Sequence, residues 1–258
     1  MSIGGAGKAP SQRSHTASGA RGDARHEQEP SSILKNARFF RANQSRAREL
    51  SSLETYRQIR RAIEGHIAGA NRLLDVGNGG VFHYDTSLAQ QIVGVDLFVG
   101  QPPAGPDAHI SLRQGDALAL PEPDAGYDVV LVSSVFHHLV GGDADATMAN
   151  IRQAVSEAYR VLEPGGRFVV MESCVSARFF ALERRLFGSL RRLARTPLMR
   201  HPATLQFPAE VIADIIATRF GDTVTTPIPV GHWILQFGRR WPTLLTPARP
   251  YLFTAHKA

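Results

Sequence analysis

Cysteine is nearly absent: Cys174 is the only one in 258 residues. That excludes a disulfide framework and suits a reducing compartment, so a cytoplasmic protein is expected. No apolar run approaches the roughly 18 residues that a membrane span requires. Residues 1–32 lack an apolar h-region, so no secretory signal is expected there, and Asp23, Glu27 and Glu29 argue against a transit peptide. No cluster of Cys and His has metal-ligand spacing, so no metal is expected.

Charge is present but unevenly spread. The net charge is +6, yet residues 1–60 hold 11 Lys/Arg against 5 Asp/Glu, and residues 177–201 hold 7 Arg against Glu183 alone. The rest of the chain is therefore acidic. A basic balance admits a nucleic-acid partner, but here the basic residues sit in a tail and one short stretch. Residues 1–32 are rich in Gly, Ser, Ala, Pro and Arg with little to bury, and they read as a disordered tail. Residues 33–70 read as an N-terminal helical cap. It comprises a basic stretch with Phe39 and Phe40, then Ser51-x-x-Glu54 as a capping box. Leu53, Tyr56, Ile59, Ile63 and Ile67 follow at helical spacing, with Gly69 as the stop.

From residue 71 the pattern changes. Arg72-Leu73-Leu74-Asp75-Val76 is a short apolar run, as expected for a strand buried on both faces, and it enters Gly77-Asn78-Gly79-Gly80. Ile92 to Asp96 repeats the pattern and ends in a carboxylate. Ile110 to Arg113 is a weaker third strand before Gly115-Asp116-Ala117. Tyr127 to Val132 is a strong fourth, running into Ser133-Ser134-Val135-Phe136-His137-His138. A helix carrying Ile151, Val155, Tyr159 and Leu162 on one face stops at Glu163-Pro164-Gly165-Gly166, and Arg167 to Met171 is a fifth strand with Glu172 at its end. Strands alternating with helices mean an α/β fold with a parallel sheet.

In their order and spacing these segments resemble the class I S-adenosylmethionine-dependent methyltransferases, of the type 11 kind that acts on small molecules. Leu73-Leu74-Asp75-Val76-Gly77-Asn78-Gly79 resembles the glycine-rich first motif. Asp96, 21 residues beyond Asp75, matches the acidic residue that ends the second strand. Gly115-Asp116-Ala117 matches the third motif. The segment from Asp128 through the His pair, followed by Arg160-Val161-Leu162-Glu163-Pro164-Gly165-Gly166, resembles the fourth and fifth. The resemblance implies a Rossmann-like sheet of seven strands, mostly parallel with the last antiparallel, helices on both faces, and a methyltransferase domain over residues 71–258. It implies S-adenosylmethionine as cofactor, held by Asp75, Gly77, Asn78, Gly79, Asp96, Leu97, Asp116, Ala117 and Ser133. Asp96 would accept the ribose hydroxyls, Asp116 would face the adenine amino group, and Asp75 would help hold the methionine ammonium. One departure stands out: Gly80 and Val81 displace the third glycine of the usual motif, and Phe82 to Thr86 do not read as a helix.

Competing enzymes fit less well. A nicotinamide dehydrogenase would need glycine at Phe82 and a Tyr-x-x-x-Lys pair, and the chain has neither. The Asn/Asp-Pro-Pro-Tyr/Phe signature of nucleic-acid amino-group methyltransferases is replaced by Ser133-Ser134-Val135-Phe136, which argues against DNA. The expected reaction is therefore methyl transfer to a small-molecule or lipid-like acceptor. A catalytically inactive cofactor-binding subunit and an RNA-directed enzyme are the alternatives. An oxygen or acidic-carbon acceptor needs its proton removed, and His137, His138 and Glu172, all just past strand ends, are the candidate bases. His83, Tyr84 and Cys174 are weaker ones.

After the fifth strand, residues 177–205 read as an inserted lid with an amphipathic helix. Phe179, Leu182, Leu186, Leu190 and Leu193 share one direction, and Arg184, Arg185, Arg191, Arg192 and Arg195 fall away from it, with Phe180 and Phe187 on a flank. Two roles are open. The leucines pack on the body, or the apolar face lines a pocket or docks on an anionic membrane.

Overall fold

The computed structural model describes residues 52–99, 109–194, 203–236 and 239–258. The tail at 1–32, the stretch carrying Phe39 and Phe40, and the capping residue Ser51 lie outside them. Helix α1 (Glu54–Ile67) starts from Leu53, which offers no side-chain cap, so the capping-box expectation does not describe the N-terminus seen here. Ile59, Ile63 and Ile67, spaced one turn apart, are buried under the sheet. Each such burial stabilises by about 1.5–3 kcal/mol before entropy is counted.

Strands β1 (Ala70–Val76), β2 (Ala89–Asp96), β3 (Ile110–Gln114) and β4 (Tyr127–Ser133) pair in parallel, and helix α2 (Ala144–Val161) leads into β5 (Leu162–Cys174). β5 is longer than its apolar run suggests, but regular pairing with β4 begins only at Arg167, beyond the glycine-bearing irregularity at 163–166. Helices α3 (Ala177–Ala194) and α4 (Ala209–Phe220) follow, then β6 (Thr223–Pro227), a hairpin of β7 (Trp233–Gln236) and β8 (Arg239–Pro242), and β9 (Arg249–His256). The main sheet runs β3-β2-β1-β4-β5-β9-β6, with β9 antiparallel to both of its neighbours.

The continuous apolar runs of β1, β2 and β4 are explained by apolar clusters on both faces. One cluster joins Leu74, Val130, Val132 and Phe168 to Ile151 and Val155 of α2 and Ile215 and Ile216 of α4. The other joins Leu73, Ile92, Leu131 and Val169 to the isoleucines of α1. The crossover from β1 to β2 contains no helix, only the single turn Thr86–Leu88. Among the described residues, β3 is largely exposed. The strand order reverses between β1 and β4, and the carboxyl ends of strands at such a switch point form the crevice in which α/β proteins bind ligands.

Candidate active site

Two turns meet at that switch point. Gly77 leaves β1 at φ +81°, and a Cβ there would lie 2.3 Å from Val135 Cγ2 in the turn after β4. Any side chain would force the two turns apart. Gly79, at φ +60°, has open space where its Cβ would be. The backbone is thus bare on the side a ligand would approach. Asn78 fastens the turn, its Oδ1 accepting from Gly80 N–H (2.7 Å) and its Nδ2 donating to Asp75 Oδ2 (3.3 Å).

Asp75 is buried. Besides Asn78, it accepts a hydrogen bond from the Tyr84 hydroxyl (2.9 Å). Burial pushes its carboxyl up to about 7, against the pull of those two donors. Burial and the adjacent carboxyl raise the Tyr84 phenol in turn, so Tyr84 keeps its proton and donates. Tyr84 therefore serves the turn, and His83 beside it is exposed. Asp96, at the end of β2, accepts from Gly79 N–H and Phe98 N–H, both at 2.8 Å. Burial raises its carboxyl while those N–H groups lower it. Two accepted bonds leave an ionised carboxylate with further lone pairs for a diol. Leu97 accepts from the Gln114 side chain (3.2 Å). Asp116, exposed beside Ala117, uses one oxygen on Leu118 N–H (2.9 Å) and keeps the other for a donor. Open glycines, a diol acceptor and an amine acceptor along one edge fit an adenosyl amino acid, which carries no phosphate.

On the other side of the switch point, Ser133 ends β4 and Ser134 takes φ +58°. A non-glycine residue there costs about 1–2 kcal/mol. Its N–H is held by Met171 O (2.8 Å), and the chain then enters the turn Phe136–His138. Glu172, buried at the end of β5, reaches under this turn. One oxygen accepts from Phe136 N–H (2.8 Å), the other from Ser173 N–H (2.7 Å) and from His137 Nδ1 (2.6 Å). A carboxylate already accepting from two backbone N–H groups offers His137 an acceptor, so Nδ1 carries the proton and Nε2 is the ring's basic atom. His138 lies against His137 with ring centroids 4.2 Å apart. Cys174 is buried, and burial pushes its thiol well above the usual range, so it is no nucleophile at neutral pH.

A residue that the sequence reading missed completes this half. Segment 203–208 crosses over the turn, with Leu205 N–H on His137 O (3.1 Å) and Phe207 O accepting from Val175 N–H (3.1 Å). α3 lies against it through Phe180 and Phe207, ring centroids 5.1 Å apart. Between them sits Glu183, one oxygen of which is buried with no hydrogen-bond partner among the described residues. Burial pushes its carboxyl up to about 7, against the pull of Gln206 N–H and the neighbouring His137. Its one visible signal was being the sole acid among the seven arginines of 177–201.

Of the two roles open for α3, the packing of its leucines on the body is not what the structure shows. Phe187 is buried and Phe180 partly so, whereas Leu182, Leu186, Leu190 and Leu193 are exposed. The helix docks by its aromatic flank, about 110° round from the leucines at 100° per residue. Among the described residues no group of His, Cys, Asp and Glu is arranged to hold a metal ion, and no helix is long and apolar enough to cross a membrane.

Residues 74–170 match the family described as "Methyltransferase domain". A demethylmenaquinone methyltransferase of Symbiobacterium thermophilum is 31% identical over 121 residues, 42% of this chain and 45% of that protein. One from Thermus thermophilus is 31% identical over 124 residues, 44% of this chain and 52% of that protein. The chain thus spans about half the length of the curated relatives it matches. Among solved structures, a Thermotoga maritima S-adenosylmethionine-dependent methyltransferase, described as a possible histamine N-methyltransferase, superposes with TM-score 0.56 at 15% identity. That match covers 88% of this chain and 99% of the other.

Proposed function

We propose that this chain carries a class I S-adenosylmethionine-dependent methyltransferase domain and that it methylates an oxygen or acidic carbon of a small, lipid-like acceptor. The observation that carries the reading is the His137–Glu172 pair at the switch point. A base with a fixed tautomer is what a proton-bearing acceptor requires and what an already nucleophilic amine does not. The names of the quinone-directed relatives support an apolar acceptor, as does the aromatic roof of Phe180 and Phe207.

The cofactor supplies an electrophilic methyl group on a sulfonium. The chain's own residues bind, orient and move a proton. Gly77 and Gly79 let the backbone approach the amino-acid part, Asp96 accepts the ribose hydroxyls, and Asp116 accepts from the adenine amino group, with Leu97, Ala117 and Ser133 beside them. Asp75 keeps its turn in shape through Asn78 and Tyr84, and it gains a counter-ion when the cofactor's ammonium arrives. His137 Nε2 takes the acceptor's proton. Glu172 has its oxygens committed to Phe136, Ser173 and His137, so it is a positioning residue and not a base. His138 supports the His137 ring. Glu183, the second carboxylate beside His137, stabilises the imidazolium that forms.

The test is label transfer from methyl-labelled cofactor to fractionated extract, with demethylmenaquinone as a defined candidate. Label in the apolar fraction that is lost in His137→Gln supports the reading. Label confined to polar amines, or undiminished in that variant, overturns it.

A further inference from the structure

We propose that the carboxyl edge of the sheet is a docking face for an anionic phospholipid bilayer, seated by the leucine stripe of α3 on one side and by the β7–β8 hairpin on the other. The first observation is the stripe itself. Leu182, Leu186, Leu190 and Leu193 are 43–55% exposed, and they fall within about 80° of one another around the helix. Among the described residues, packing does not account for Leu182, Leu186 and Leu190, since Phe180 and Phe187 already anchor α3 to the body.

A second observation gives the face its charge. Arg178, Arg185 and Arg192 recur every seven residues, which sets them in one row beside the leucines, and all three are exposed. Long guanidinium stems beside an apolar stripe can lie along acyl chains while their heads stay with phosphates. Arg184, on the opposite flank, instead faces Asp145 of α2 (3.6 Å). The only acid of α3, Glu183, is turned inward beside His137. No carboxylate of the helix opposes an anionic surface.

The third observation is independent of the helix. Trp233 on the hairpin is 48% exposed, and Leu244 and Leu245 in the turn that follows are 90% and 69% exposed, whereas Trp241 pairs with buried Ile234 and projects from the hairpin's other face. Indole rings with an apolar body and one N–H donor favour the headgroup level of a bilayer. The two patches belong to one edge. α3 starts three residues after Cys174 ends β5, and the Thr243–Leu245 turn precedes Arg249, which starts β9 opposite Cys174. The hairpin is tied to the start of α1 by Thr55, which donates to Trp233 O (2.9 Å) and accepts from Gly231 N–H (3.1 Å). α1 and α3 belong to the apolar clusters on opposite faces of the sheet, so the patches lie on either side of its carboxyl edge.

A bilayer suits this face better than a second copy. Self-association through the stripe would bring two arginine rows together, with only inward-turned Glu183 to offset them. An anionic surface takes the arginine row, the leucine stripe, Trp233 and the Leu244–Leu245 tip at once. The inference stands whether or not the acceptor is a lipid.

Flotation of the full chain with vesicles tests it. Vesicles of mixed phosphatidylglycerol and phosphatidylcholine should carry the protein, pure phosphatidylcholine should not, and salt should weaken binding. Leu186→Ser with Leu190→Ser, and separately Leu244→Ser with Leu245→Ser, should each reduce binding at least about tenfold. Arg185→Glu with Arg192→Glu should abolish it. Trp233 and Trp241 are the chain's two tryptophans, and the emission of Trp233 should shift to the blue on binding and be quenched by brominated lipid. All these side chains are exposed, and unchanged thermal melting confirms that each variant folds. Wild type that fails to float at low salt overturns the proposal. So does equal binding by the leucine variants, which would indicate attraction through charge alone. A concentration-dependent dimer that the Leu186/Leu190 variant dissociates would make the stripe a self-interface and also overturn it.

Discussion

Between β1 and β2 the chain crosses over with only the turn Thr86–Leu88, whereas between β4 and β5 it crosses through the 18-residue helix α2. The glycine turn on the helix-poor side is held by polar side chains. Asp75 binds Tyr84 and Asn78, Asn78 binds Gly80, and Asp96 binds Gly79 and Phe98. On the helix-rich side the His turn is held from below by buried Glu172 and covered from above by 203–208 and α3. One half thus presents acceptors and bare backbone, the other a histidine of fixed tautomer under an apolar roof. Binding and proton removal can therefore be broken separately.

The largest expected effect is on the helix-rich side. His137→Gln should lower turnover by about 10²–10⁴-fold, with cofactor affinity by calorimetry nearly unchanged. A joint loss of both would mean that the halves are not separable. Gly77→Ala strikes the contact between them. Its positive φ and the clash with Val135 should cost about 2–4 kcal/mol in urea unfolding. Gly79→Ala, with φ strain but open space, should cost about 1–2 kcal/mol and lose cofactor affinity out of proportion to stability.

Asp96→Ala should weaken cofactor binding by about 1.5–3 kcal/mol, roughly tenfold to a hundredfold, while saturating cofactor restores turnover. Equal binding would detach Asp96 from the ribose. The smallest effect sharpens the comparison through pH. Asp75 moves from 3.8 unfolded to about 7 folded, and Glu183 from 4.5 to about 7. Both carboxyls bind a proton more tightly in the folded state. Their contribution is therefore full below about pH 4 and is lost as pH rises through about 7. Unfolding free energy should fall over that window. Asp75→Asn and Glu183→Gln should each flatten part of the slope, and a slope unchanged in both variants would contradict the burial of these groups.

Much of the helix-poor half was legible beforehand. Asp96 and the glycines announce themselves because a buried strand ending in a turn leaves a local pattern, and the missing crossover helix showed in Phe82 to Thr86. The capping box at Ser51 failed as a guide because the described helix begins from Leu53, which no side chain caps. Tyr84 read as a weak catalytic candidate, but its role depends on which carboxyl its loop happens to reach. Glu172 read as a base because it ends a strand. Its oxygens are committed to groups 35 and 36 residues away, which no local pattern records.

By itself, then, the sequence determined the strands, the glycine turns and the carboxylates at strand ends. These follow from alternation, burial on both faces and backbone permissiveness, all of which act within a few residues. Only the tertiary structure decided that α3 rests on Phe180 and Phe187 and turns its leucines outward, that Glu183 meets His137, and that the tryptophan hairpin shares an edge with α3. Periodicity says which face of a helix is apolar, but which face the body covers depends on the geometry of the sheet end it must seal. Phe180 and Phe187 meet that end, and the leucines lie about a third of a turn away.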